Sequence, residues 1–211
     1  MPTKYPNLTH SYLALRRAVG WIGILLPFAL MLGVVIIFRG QALQDSISHY
    51  YYTGMRDVLV GSLCAIALFM FFYCGYDKHD NWAGNLAGIF ALGVAWFPTT
   101  EGSPIDTIGM IHFAFAALLF LTLAYFSLVL FTKSGPKPTP RKILRNRIYI
   151  VCGVVMLLCL VGIAVYKLFL THVGFLCRFV YWAETIALVA FGVSWLTKGG
   201  TLYPDRATPQ P

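Results

Sequence analysis

The chemistry open to this chain lies in a few polar side chains set among long apolar runs. Glu184 falls inside the run Phe179–Thr197, and His112 falls inside Thr107–Thr132. Each sits five residues into its run, about one and a half helical turns. An ionisable group at that depth needs a partner, a proton or water, so it marks a functional site by default. A third source of chemistry is the stretch SISHYYYTGMRD, residues 46–57, which supplies Ser48, His49, Tyr52, Arg56 and Asp57. Arg178 stands just before the last run. These eight residues form the candidate ligand-binding set. Arg56, Arg178 and His112 are the expected partners of Glu184. Convergent polar groups on an otherwise apolar scaffold are how a pocket for a lipid or small amphiphile is made. A structural role for Glu184 or His112, as a packing hydrogen bond or ion pair, stays open beside the functional one.

His49, Asp57, His112 and Glu184 also have the residue types of a catalytic zinc site, in which three protein ligands hold the metal and a water is the nucleophile. The alternative function is therefore a metal-dependent intramembrane hydrolase using the same residues. No HExxH or HxxxH occurs, and no i, i+4 pair among these four residues fixes a spacing. Ser48 and His49 are neighbours, but no GxSxG nucleophile elbow accompanies them. A second alternative is a small transporter, which would need a polar path past Glu184; Ser62, Asn85 and Thr122 are the few residues at hand. The five cysteines are odd in number and contain no CxxC, so they read as small packing residues.

The elements that must position these groups follow from composition. The chain is 58% hydrophobic and 11% charged. Soluble domains carry roughly 25% charged residues, so lipid must replace water over much of this surface. Six apolar runs, 18–38, 58–75, 81–100, 107–132, 148–166 and 179–197, each approach the length that crosses ~30 Å of hydrocarbon. The expected fold is all-α, a polytopic transmembrane bundle of six spans. Residues 1–17 form an N-terminal segment, 18–197 a single transmembrane domain and 198–211 a flexible tail. The first run is too long for the apolar region of a cleaved signal. Lys133–Arg147 contains three prolines and six basic residues and reads as a loop, with Pro136, Pro138 and Pro140 as a stiff linker. Gly84 and Gly88 allow close helix approach, and Asn85 between them is expected to bond a neighbouring helix.

Orientation comes from counting Lys and Arg: 12 fall on the side of both termini and 4 on the other. That places the N- and C-termini in the cytoplasm and the candidate site on the outer side. The net charge of +8 is thereby explained without nucleic acid, for which no recognition motif occurs. Membrane lipids are the expected partners, with a homo-oligomer left open. The location expected is a bacterial plasma (inner) membrane.

The Ser46-Ile-Ser48 motif just before the second run resembles bacterial six-helix membrane families of unknown function. It is similar, more distantly, to the DRAM/Sfk group of eukaryotic membrane proteins linked to lipid handling. The likeness covers the topology of most of the chain and the motif of residues 46–57. His49 stands where those relatives often carry an acidic residue. The resemblance implies a lipid-facing role.

Overall fold

The computed structural model describes residues 6–75, 77–102, 104–170 and 178–204, with the side chains of the first helix described from Tyr12 onward. His172, Cys177 and residues 205–211 of the expected tail lie outside the described residues. The described residues form helices and no strand. In chain order these are α1 (Pro6–Ile36), a 3-10 turn (Ser48–Tyr52), α2 (Arg56–Phe71), α3 (Lys78–Trp96), α4 (Thr107–Tyr125), α5 (Pro140–Val165) and α6 (Phe179–Lys198). α4 runs on as a π-helical turn, Phe126–Leu130, and α5 as another, Tyr166–Leu170.

Local chemistry sets most boundaries. Asp77 begins α3 by accepting the amides of His79 and Asp80 at 2.9 and 3.0 Å. Asp106 begins α4 by accepting the Gly109 amide at 2.8 Å. Thr139 caps α5, with Pro140 in the first turn where its missing N–H costs nothing. The first helix closes differently. Arg39 adopts φ +52°, and the Gly40 amide returns to the Val34 carbonyl at 3.0 Å. This left-handed exit usually falls to glycine.

Four helical stretches are long and apolar enough to cross a membrane: Tyr12–Ile36, Thr107–Leu130, Pro140–Leu170 and Phe179–Lys198. α2 has 16 residues, about 24 Å at helical rise, and α3 carries Lys78, His79 and Asp80 in its first turn. Lys133–Arg147 is not a loop throughout. Its second half, PRKILRNR, is helical because the Thr139 cap and Pro140 start α5 ahead of the apolar run.

Each helix packs on its neighbours in sequence, and α1 against α6 closes the ring. At that closure Gly20 and Gly192 bring the two backbones together: a Cβ on Gly192 would lie 2.5 Å from the Gly20 carbonyl oxygen. Gly84 does the same for α3 on α2, with the Met70 carbonyl 2.8 Å from where its Cβ would be. Small residues at helix contacts allow this approach. Asn85, by contrast, is exposed on α3, so the expected bond to a neighbouring helix is not made.

The core has two parts. One is aromatic: Trp195 is fully buried among Phe69, Tyr73, Phe126, Phe131 and Phe191, with ring centroids 5.2–5.9 Å away. The other joins the first loop to α1, α2 and α6 through Leu30, Ile47, Tyr50, Met55, Leu59 and Tyr181.

Candidate ligand-binding site

The first loop folds back onto the bundle because its alternating residues have separate places to go. Ile47 and Tyr50 enter the core, and the Tyr50 hydroxyl donates to the Ala42 carbonyl. Burial raises the Tyr50 pKa above its ordinary value, so the phenol is a neutral donor. Tyr52 donates to the Thr99 carbonyl and so ties the loop to the end of α3. Thr53 closes the turn, its hydroxyl donating to the Tyr50 carbonyl at 2.8 Å and accepting the Met55 amide at 3.1 Å.

Ser46 and Ser48 each meet a histidine. Ser46 Oγ is 2.7 Å from His49 Nδ1. Ser48 Oγ is 3.0 Å from His112 Nε2, whose Nδ1 lies 2.6 Å from the Phe97 carbonyl. A carbonyl can only accept, so His112 Nδ1 carries the proton, and in the neutral ring Nε2 accepts from Ser48. His112 thus fastens the loop to α3 and α4. Beside it, Ser48, Thr99 and His112 border a space of about 10 Å³, and the buried Thr99 hydroxyl has no protein partner. That is close to the size that admits one water.

Glu184 anchors the loop from α6. Its Oε2 accepts the Ile47 amide at 2.6 Å. The carboxylate also borders a cavity of about 360 Å³ between α4, α5 and α6. Phe113, Ala116, Ala117 and Phe120 of α4 form one wall, and Leu160, Ile163 and Ala164 of α5 face them. Ser46, His49, Lys167 and Glu184 are its polar groups. The Lys167 ammonium lies 5.7 Å from the centre of the Phe113 ring. Burial lowers the His49 pKa below 6.5, partly offset by the nearby Asp45 carboxylate and reinforced by Lys167. The imidazole is therefore neutral at pH 7.

The structure thus divides the eight candidate residues. His49 and Glu184 share the cavity. Ser48, His112 and Tyr52 hold the loop in place. Arg56 and Asp57 stand apart: the Asp57 side chain is 92% exposed and meets only the Arg56 guanidinium, at 3.5 Å. Arg56 also lies 5.6 Å from the centre of the Tyr51 ring. Arg178 pairs with Asp45 at 2.5 Å, not with Glu184. None of the three expected partners bonds Glu184; a backbone amide does. Among the described residues no three His, Cys, Asp or Glu side chains gather as a metal site. The quartet His49, Asp57, His112 and Glu184 is divided, because Asp57 points to solvent and His112 spends both ring nitrogens on the protein. Lys167 is not among the candidate residues that the sequence suggests. The π-helical continuation of α5 brings it to the cavity.

No family model matches the chain, and no curated protein or solved structure is significantly similar to it.

Proposed function

We propose that this protein binds a lipid or small amphiphile in the cavity between α4, α5 and α6. The observation that carries the reading is the cavity itself: about 360 Å³, with apolar walls from two helices and Ser46, His49, Lys167 and Glu184 as its polar groups. Volumes of roughly 300–1,000 Å³ with few, placed polar groups are typical of small-molecule sites. A transporter is less well supported, since the far end of the bundle is filled by Trp195 and the rings around it.

The same reading takes all six helices as spans, with α2 and α3 as the two shorter ones. It places both termini in the cytoplasm of a bacterial cell and the cavity on the outer side of its inner membrane. The excess of Lys and Arg on the side of the termini supports this orientation. The likeness of Ser46-Ile-Ser48 to six-helix families with a lipid-facing role agrees with it. The test is native mass spectrometry of the purified full chain, with Ala117→Trp to fill the space. Bound amphiphile on the wild type, lost in a variant that still elutes as folded protein, is the expected result. Equal occupancy in both overturns the assignment.

A further inference from the structure

Two serines of the first loop each face a histidine, and the two pairs differ in the room beside them. Ser48 Oγ is 3.0 Å from His112 Nε2, but that pair borders a space of about 10 Å³. Room for one water is not room for an ester. Ser46 Oγ is 2.7 Å from His49 Nδ1, and both side chains border the cavity of about 360 Å³. Ser46 is only 5% exposed, so bulk water has little access to its hydroxyl. A serine hydroxyl becomes a nucleophile when a base within hydrogen-bond reach can take its proton. Burial keeps the His49 imidazole neutral, so one ring nitrogen is free to accept. The Thr100 carbonyl near the ring attracts a ring proton. With that proton on Nε2, Nδ1 accepts from Ser46 Oγ. The Asp45 and Glu101 carboxylates favour the imidazolium that forms on proton transfer, and Lys167 opposes it. Ile47, between the two residues, is buried, and its amide donates to Glu184 Oε2 at 2.6 Å. That bond needs no charge on Glu184, and it fixes the loop that carries the pair.

We infer that Ser46 and His49 are a nucleophile and base that cleave the acyl ester of an amphiphile held in the cavity. This rests on the reading of the cavity as an amphiphile site and adds a reaction to it. Phe113, Phe120, Leu160 and Ile163 offer the acyl chain an apolar wall. His49 Nδ1 takes the Ser46 Oγ proton as Oγ bonds to the ester carbonyl carbon. The bond from that carbon to the alcohol oxygen then breaks, and the alcohol leaves with the proton from His49. Water, the second reactant, adds to the acyl-serine. His49 takes a proton from the water and returns it to Oγ, and the fatty acid leaves. Lys167 is exposed and borders the same cavity, so its ammonium is the described cation best placed to meet the oxyanion.

The experiment uses the full chain in neutral detergent micelles and two probes of equal chain length, an alkyl fluorophosphonate and a monoacylglycerol. The wild type is expected to gain one phosphonyl group on Ser46 with loss of fluoride, located by peptide sequencing, and to release fatty acid from the monoacylglycerol. Ser46→Ala loses both. His49→Gln keeps an acceptor for the Ser46 hydroxyl but is no base, so labelling and release fall at least about a hundredfold. Native mass spectrometry should still find intact monoacylglycerol on this variant, which separates lost chemistry from lost binding. A label on Ser48 instead of Ser46, or His49→Gln reacting as fast as the wild type, overturns the pair. Neither label nor release by a wild type that binds intact monoacylglycerol makes Ser46 a turn-closing hydroxyl only, and leaves amphiphile binding standing. No binding of the monoacylglycerol and no release by the folded wild type removes the underlying reading as well.

Discussion

At one end of the bundle Trp195 meets five aromatic rings and is fully buried. At the other, Glu184 and His49 face a space of about 360 Å³. Both ends use charge, but differently. Near Trp195, Lys133 bonds Asp77 at 2.9 Å and Asp80 at 2.5 Å, while the Lys142 ammonium donates to the Phe131 carbonyl at 2.7 Å. These contacts close the aromatic core. Around the cavity, the Glu184 carboxylate spends one oxygen on a backbone amide, and the other polar groups border open space. One end is closely packed, and the other leaves an open space. In a membrane this division has a physical basis, since helix association there depends on close packing and hydrogen bonds rather than on escape from water.

The sharpest way to break the comparison is Trp195→Ala. Removing a large buried aromatic costs about 3–5 kcal/mol, read as a drop in unfolding temperature in detergent, while amphiphile affinity of the folded fraction stays as it was. Lys133→Met takes the ammonium from the buried Asp80 carboxylate and costs about 3 kcal/mol, again with no change at the cavity. Glu184→Ala reverses the pattern. It removes the acceptor of the Ile47 amide and costs about 1–3 kcal/mol of stability, but amphiphile binding falls more steeply than stability does. If the first two variants weaken binding as much as the third, the two ends are not separate.

Acid offers a finer test with the smallest effects. The folded pKa of His49 is depressed below 6.5 by burial. The native state therefore resists protonating it. Its contribution is fully present above pH 6.5 and is lost as pH falls from there through the lower folded value. Asp77 is also depressed, from 3.8 to about 2, chiefly by the Lys133 hydrogen bond. Its contribution is present above pH 3.8 and lost as pH falls through about 2. Unfolding temperature followed from pH 8 to pH 2 should show two separate declines. His49→Gln should remove the upper one, and Lys133→Met should shrink the lower one, to which the backbone hydrogen bonds on Asp77 and the depressed Asp106 also contribute.

Helices were the legible part of the sequence. All six apolar runs became helices, because apolar composition and length suffice for that. Their starts were less legible where a helix begins in polar residues: α1 includes Tyr12, Arg16 and Arg17, and α5 includes Arg141, Lys142 and Arg145. Caps at Asp77, Asp106 and Thr139 were present to be read, and Thr139-Pro140 was masked by a basic, proline-rich setting. Of the site, Glu184, His49 and the first loop could be picked out because they break apolar patterns. Their pairing could not. The Glu184 partner is a backbone amide, which no residue type advertises, and Lys167 reaches the cavity only because α5 ends in a π-helical turn. Arg56, Asp57 and Arg178 have suitable charges, but Arg56 and Asp57 pair with each other and Arg178 pairs with Asp45.

The ring order of the helices has a consequence for how the protein is made. Because every helix docks on the one before it, much of the packing can form in the order of synthesis, with the α1–α6 closure as the main contact between distant segments. The cavity is the exception. Val180 and Glu184 of α6 complete its lining, so the first five helices leave that side of it open. The space is enclosed only when the sixth helix packs on the fifth and closes the circle against the first.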